Sequence, residues 1–262
     1  MSGDVRSRYF DGPTPRVLAH RGLALESPEN TVGAFAAALS AGADSLETDV
    51  HASRDGVAIV SHDPDLERVA GRRGRIGDFT VIQLASIDLG GGEHPERLED
   101  VLVRFPDARF NIDVKQEAAL GPAIEAVLAA DAADRVLLTS FDDGRRMRLA
   151  ERLPGVATSG GRRAVILCLV GSWFGSTALV RAGLRGAGAL QVPERAGFLR
   201  IVSARFLRIV HRAGAEVHVW TVNDPEDMRR LLDLGVDGLV TDRCDLAVPL
   251  VAARRGRRSD GG

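Results

Sequence analysis

The feature that most constrains this chain is a repeated alternation of short apolar runs with segments of helical apolar spacing. The runs are Val17–Ala19, Ser45–Val50, Val57–Ser61, Arg109–Val114, Val136–Ser140, Gly155–Thr158, Ala189–Val192, Val217–Thr221 and Gly238–Thr241. Helix candidates between them include Thr31–Ala41, Leu98–Phe105, Leu120–Ala130, Gly144–Leu153, Ala204–Ala213, Pro225–Leu234 and Leu246–Ala253. Alternation of this kind marks βα units on a parallel sheet, because parallel strands need a crossover long enough to hold a helix. The link from Ser45–Val50 to Val57–Ser61 is too short for a crossover and ends in Asp55-Gly56, a hairpin-turn pair, so that strand is expected to return antiparallel. The remaining runs predict an α/β chain folded as a (β/α)8 TIM barrel. Residues Pro64 to Arg97, rich in Gly and Arg and weakly periodic, predict a small insertion after the third strand run, packed over one barrel end.

At 262 residues the length suits one such domain, expected over residues 16–253, with a flexible N-terminus at 1–15 and a disordered basic tail at 254–262. A net charge of −2 supplies no electrostatic reason to expect nucleic acid as a partner. Met1–Arg16 lacks the apolar core of a secretory leader. The longest uncharged run, Ala164–Val180, is short for a membrane span and diluted by Gly, Ser and Thr, so it reads as a buried helix or a lid, with no transmembrane segment. The expected setting is cytoplasmic. Weak peripheral contact of the basic tail with anionic lipid is a secondary expectation. Cys168 and Cys244 lack metal-ligand spacing and read as small buried apolar residues. Oligomeric state has no signal in the sequence.

In such barrels chemistry gathers at the C-terminal strand ends. There the sequence places His20-Arg21, Glu47 and Asp49, Asp113 and Lys115, Ser140-Phe141, Gln191 and Glu194, Trp220 and Asn223, and Thr241-Asp242. Glu47 and Asp49 stand two apart, hence on one side of their strand. Two inward carboxylates repel unless a cation lies between them, although pairing with arginines on the outer face is the plainer alternative. Asp113 offers a third carboxylate from another strand end, which favours the metal reading. Ligands that are all oxygen point to a hard divalent cation, Mg²⁺ or Ca²⁺.

His20-Arg21-Gly22, Pro28-Glu29-Asn30-Thr31, Glu47-Thr48-Asp49, Asp55-Gly56 and His62-Asp63 follow one another in an order that resembles the glycerophosphodiester phosphodiesterase family. The resemblance runs from about Val17 to Asp242. It implies that His20 and His62 form an acid/base pair, that Arg21 contacts phosphate, that Lys115 contacts phosphate or orients a carboxylate ligand, and that Trp220 forms an aromatic substrate wall. Glu47, Asp49 and Asp113 would hold the metal, although the family usually carries Glu where this chain has Asp113. Lys115 is the single lysine among 34 basic Lys and Arg residues, and it falls at the family's lysine position. The implied reaction is metal-dependent hydrolysis of a small glycerophosphodiester to glycerol 3-phosphate and an alcohol. Cleavage of lysophospholipids at the same site, motivated by Ala164–Val180 with Trp173 and Phe174, is the nearest alternative. A non-catalytic glycerol-phosphate-binding barrel is the alternative from another class. Asn30 is expected to cap the helix that follows it and to brace the loop after His20. Of the other histidines, His51 is expected outside the site, His94 in solvent, His211 on a helix surface and His218 in the lower barrel.

Overall fold

The computed structural model describes residues 7–259. Its strands are β1 (Arg16–His20), β2 (Ser45–Ala52), β3 (Ala58–Val60), β4 (Phe110–Val114), β5 (Val136–Thr139), β6 (Ala157–Gly160), β7 (Ala189–Pro193), β8 (Arg195–Ala196), β9 (Leu199–Arg200), β10 (Glu216–Trp220) and β11 (Gly238–Thr241). Parallel pairing runs in the order β1-β11-β10-β7-β6-β5-β4-β2, and β2 pairs back onto β1 through Leu18↔Ser45 and His20↔Glu47. The sheet is thereby closed into the eight-stranded parallel barrel that the alternation predicts, and closure leaves no edge within that ring. β3 lies outside the ring, antiparallel to β2 with Val50↔Val60 and Ala52↔Ala58, as the short Asp55-Gly56 link requires.

Closure is driven by nearly continuous burial along the strands: Val17, Leu18, Leu46, Ile112, Leu138, Val192, Val219 and Leu239 are all essentially inaccessible. At ~25 cal/mol per Å² of apolar surface, each such side chain contributes about 1.5–3 kcal/mol. The helices Val32–Ser40, Leu98–Arg104, Leu120–Ala129 and Ala204–Arg212 bury one face each, the last through Phe206, Leu207, Ile209 and Val210.

Several expected boundaries move. The expected strand Gly155–Thr158 begins two residues later, because Gly155 takes a positive φ of 88° in the preceding turn. The helix after Asn30 is capped by Thr31, whose side chain accepts from the Ala34 amide, and not by Asn30. Ala164–Val180 divides into two helices, Arg162–Phe174 and Thr177–Leu184, where Gly175 closes the first in the left-handed conformation and the Ser176 side chain caps the second. No helix of the described residues is long and apolar enough to cross a membrane.

Both chain ends depart from expectation. Residues 1–6 lie outside the described residues, but from Ser7 onward the N-terminal segment is packed. Tyr9 and Phe10 are buried against Leu137, Ala157 and Ala189 at the N-terminal strand ends, closing the barrel floor. Tyr9 shares a 3.2 Å hydrogen bond with Ser45 Oγ. At the other end the final helix runs Cys244–Ser259, so the basic stretch begins inside a helix. There Arg254 pairs with Asp233 and Arg255 with Asp44, while residues 260–262 lie outside the described residues.

The insertion carries short helices at Glu67–Ala70 and Val81–Leu84 and a small core of its own, in which Leu66, Ile76, Leu84 and Ile87 pack on Ile59 of β3. The hairpin strand is therefore the platform that holds the insertion beside the barrel mouth.

Candidate active site

A cavity of about 500 Å³ opens at the C-terminal strand ends. Its wall contains all eight side chains singled out in the sequence: His20, Arg21, Glu47, Asp49, His62, Asp113, Lys115 and Trp220. They come from β1, β2, β4, β10 and the segment after β3.

His20 ends β1, and the chain then turns sharply. Arg21 takes a positive φ of 58°, a conformation a non-glycine residue adopts only when its surroundings hold it there. The Arg21 amide donates to the Glu47 carbonyl at 3.0 Å. Gly22 follows at φ 84°, where a Cβ would lie 2.7–2.8 Å from the backbone of Ala34, so the turn admits only glycine. Asn30 also has a positive φ. Its amide donates to the Arg21 carbonyl, and its Oδ1 accepts from Thr48 Oγ1 at 2.8 Å, tying the turn to β2.

His20 Nδ1 lies 2.6 Å from Asp242 Oδ1, and Asn223 Nδ2 donates to Asp242 Oδ2 at 2.7 Å. The bond to His20, with help from Asn223, holds the Asp242 carboxyl below the usual range. His20 Nε2 faces Glu47, 3.9 Å from its Oε2.

β2 and β4 present the carboxylates in register, Asp49 beside Asp113 and Glu47 beside Asn111. All three are buried. Burial and then the neighbouring Asp49 push the Glu47 carboxyl well above the usual range. Burial likewise raises that of Asp113 against the pull of Lys115. The Lys115 ammonium bridges the other two, 2.6 Å from Asp49 Oδ1 and 2.8 Å from Asp113 Oδ2. Burial alone would make that ammonium easier to deprotonate, but the two carboxylates outweigh it and hold the group above the usual lysine range.

A divalent cation fits this donor set in one respect and meets an obstacle in another. Asp49 Oδ2 and Asp113 Oδ1 are buried without a hydrogen-bond partner, which is costly for an anionic oxygen unless something else satisfies it. Among the described residues, however, no three ligating side chains already form a cation cage, and Lys115 occupies the space between the two aspartates.

On the other flank, His62 Nδ1 lies 2.8 Å from Asp63 Oδ1, and Arg68 Nε donates to Asp63 Oδ2 at 2.5 Å. The same guanidinium reaches Glu29 through Nη1 and Nη2 at 3.1 and 2.6 Å, and Glu29 accepts from Arg21 Nη1 at 3.0 Å. Arg68 belongs to the insertion, so a charged chain from outside the barrel links Arg21 to His62. Burial pushes Glu29 and Asp63 up, but Arg68 and Arg21 at Glu29, and the hydrogen bonds from His62 and Arg68 at Asp63, outweigh it and leave both carboxyls below the usual range. The Arg21 Nε is buried and without a hydrogen-bond partner, 3.6 Å from Asp49 Oδ2.

Trp220 ends β10 and meets Phe141, after β5, edge to face at 6.1 Å. His51 lies outside the cavity, buried, with its Nε2 3.1 Å from the His62 carbonyl oxygen, so β2 braces the His62 segment. His94 is half-buried with Nδ1 2.8 Å from the Ile87 carbonyl oxygen, and not in solvent as expected. His211 pairs with Asp237 near the surface. His218 is fully buried in the lower barrel beside Glu216, which also pairs with Arg16. Asp242, Asn223, Asp63 and Arg68 are residues to which the sequence assigned no specific role; Asp242 and Asn223 were marked only by lying at strand ends and Asp63 by adjoining His62, while Arg68 had no signal.

The description "Glycerophosphoryl diester phosphodiesterase family" belongs to a family model that matches residues 20–246. A Mycobacterium tuberculosis protein designated probable glycerophosphodiester phosphodiesterase 2 is 38% identical over 239 residues, covering 90% of each chain. The crystal structure of a glycerophosphodiester phosphodiesterase from Thermotoga maritima superposes with a TM-score of 0.72 at 30% identity, over 91% of this chain and 99% of that one. An Oleispira antarctica phosphodiesterase solved with its product sn-glycerol-3-phosphate shares the fold, with a TM-score of 0.73 at 21% identity over 90% and 96% of the two chains. A match across nearly the whole barrel, in a chain whose paired imidazoles, guanidinium and carboxylates share one cavity, makes this protein a member of the glycerophosphoryl diester phosphodiesterase family.

Proposed function

We propose that the cavity hydrolyses small glycerophosphodiesters to glycerol 3-phosphate and an alcohol, with His20 and His62 as the proton-transfer pair. The observation that carries this reading is that each imidazole has a carboxylate on Nδ1, at 2.6 and 2.8 Å. That pairing fixes the tautomer and leaves Nε2 for the substrate. One Nε2 takes the proton of the attacking hydroxyl, which is either water or the substrate's own glycerol 2-hydroxyl, and the other protonates the departing alkoxide. Arg21, with a spare Nε–H, grips the phosphate oxygens. Trp220 stacks on the glycerol moiety.

Glu47, Asp49 and Asp113 are the residues that would hold Mg²⁺ or Ca²⁺, supported by Asp49 Oδ2 and Asp113 Oδ1, buried oxygens that accept no hydrogen bond. Held there, such a cation would supply positive charge against the negative charge gathering on the phosphoryl group. Lys115 then has two tasks in this proposal: it holds Asp49 and Asp113 together and stands ready to meet a phosphate oxygen. A cytoplasmic setting belongs to the same proposal and rests on the sequence alone.

The test is to strip the protein with chelator and then measure glycerol 3-phosphate release from several water-soluble diesters with Mg²⁺ or Ca²⁺ added back. Turnover restored by either ion supports the reading. Binding of glycerol 3-phosphate without turnover in either ion would replace it with the non-catalytic alternative.

A further inference from the structure

The phosphate site has two flanks. Its strand-borne charged groups come from β1, β2 and β4, which are neighbours in the barrel ring. Beyond them the ring continues through β11 to β10 on one side and through β5 to β6 on the other. Trp220, proposed above to stack on the glycerol moiety, ends β10. The second substituent on phosphorus, the departing alcohol, therefore has the β5–β6 flank for its wall. Phe141 follows β5, Gly161 and Arg162 follow β6, and all three line the cavity.

Charge on this flank has one sign. The carboxylates of the cavity wall, Glu47, Asp49 and Asp113, all stand on β2 and β4. From β5 round to β11, Arg162 is the only charged lining residue among those described. Its guanidinium sits over the Phe141 ring, 5.9 Å from the centroid, and Lys115 Nζ lies 5.7 Å from the same centroid. The two cations are thus no farther apart than those distances together, which keeps Arg162 near the phosphate site. No carboxylate among the described residues pairs with it. The acids on adjoining segments are engaged elsewhere: Asp143 accepts from the Arg163 amide at 2.7 Å, Glu117 pairs with Arg148 at 2.6 Å, and Glu194 pairs with Arg230 at 2.7 Å.

Two further features fit an anion. Gln191 Nε2, on the neighbouring β7, is buried in the same wall and donates to nothing. Val165 and Ile166 follow Arg162 on one helix face and also line the cavity, so water screens the guanidinium less there than on open surface. A wall with a cation, a spare donor and no acid favours an oxyanion and disfavours an ammonium group. We propose that Arg162 is a specificity-determining residue that binds an anionic group, carboxylate or phosphate, on the departing alcohol. Diesters with acidic head groups are then preferred over neutral or cationic ones. The inference rests on the phosphodiesterase reading and deepens it. The bonds that change are those at phosphorus: a P–O bond forms to the attacking oxygen, the P–O bond to the alcohol breaks, and the attacking hydroxyl's proton passes to that alcohol. The head-group oxyanion leaves unchanged.

The experiment measures kcat/KM, under saturating Mg²⁺ or Ca²⁺, for glycerol 3-phosphate esterified with propanol, aminopropanol, hydroxypropanoate or hydroxyethyl phosphate. In the wild type, at least one of the two anionic esters should exceed the propyl ester by ~3–10-fold, with the aminopropyl ester below it. Which anionic ester leads names the oxyanion. Arg162→Gln should bring the anionic-to-propyl ratio down to about one, acting through KM. Arg163→Gln removes a neighbouring charge that does not line the cavity and should leave the ratio as in the wild type. Thermal melting confirms that each variant is folded. A wild-type ratio of one or less for both anions, while the propyl ester is hydrolysed, overturns the anion site and leaves the phosphodiesterase reading standing. A ratio that survives in folded Arg162→Gln, or that Arg163→Gln lowers as much, overturns it equally. Hydrolysis of none of the four esters in either ion overturns the parent reading, and this one falls with it.

Discussion

Asp242 and His20 stand 222 positions apart in the chain, yet their side chains meet at 2.6 Å. The contact exists because β11 pairs with β1 to close the barrel. Asn223 secures the far oxygen of the carboxylate, so Asp242 has one orientation to offer the imidazole. Asp242→Asn keeps the shape and removes the charge that would stabilise a protonated His20. We expect kcat to fall ~10–10²-fold, with cation affinity by calorimetry little changed. A normal kcat would mean that this carboxylate does not position the imidazole for proton transfer.

His62→Ala should lower kcat by at least ~10²-fold without weakening cation binding, since His62 is proposed to move a proton and not to ligate. Arg68→Ala tests the support behind it. This change leaves Asp63 and Glu29 each short of a cation, so kcat should drop through His62 and KM should rise through Arg21 in the same variant. An effect on only one constant would show that the two flanks are not linked through Arg68.

Asp113 is the third carboxylate of the proposed cation site, where the sequence resemblance leads one to expect Glu. Asp113→Ala removes one ligand of the proposed cation and one of the two carboxylates on Lys115. Activity should vanish at moderate metal concentration, whereas Asp113→Glu should bind the cation as well as or better than the wild type. Metal titration of activity distinguishes these outcomes. A wild-type titration curve for Asp113→Ala would take Asp113 out of the ligand set.

A pH effect on stability follows from the lower barrel, where Glu216 is buried between His218 and Arg16. Burial pushes its carboxyl up, but His218 and Arg16 outweigh that and bring it down to about 2. A depressed carboxyl contributes stability that is present above its unfolded value, ~4.3, and is lost as pH falls through the folded one. We therefore expect unfolding free energy to decline by roughly 3 kcal/mol from this group as pH drops through that window. Glu216→Gln should flatten the decline and, by stranding Arg16, cost about 3–5 kcal/mol at neutral pH. Urea titrations across the acid range would measure both.

The sequence shows the barrel well because its signal is local and repeated: each strand and helix carries its own apolar period, and the short Asp55-Gly56 link shows by itself that β3 turns back. The site was legible to the extent that its residues sit at strand ends. Glu47 and Asp49 share a face by parity, and both point into the cavity. What stayed hidden depends on distant closure or on side chains without periodicity. Asp242 reaches His20 only when the first and last strands pair. Tyr9-Phe10 is a lone apolar pair among Arg, Gly and Pro residues, so nothing nearby shows that it fills the barrel floor. Lys115 was open to a phosphate oxygen or a carboxylate ligand, since a lone ammonium near carboxylates does not reveal which oxygen it will choose, and in the fold it bridges Asp49 and Asp113.

Arg68 comes from a segment that strand pairing does not require, since the parallel ring closes without residues 64–97. Its guanidinium nevertheless secures the acid behind His62 and the acid behind Arg21. The insertion's packing is therefore expected to matter to the site through this one side chain. A change that loosens the Leu66–Ile76–Leu84 patch from Ile59 should free both acids together and lower activity while the barrel stays folded, which activity and thermal melting measured on the same variant would check.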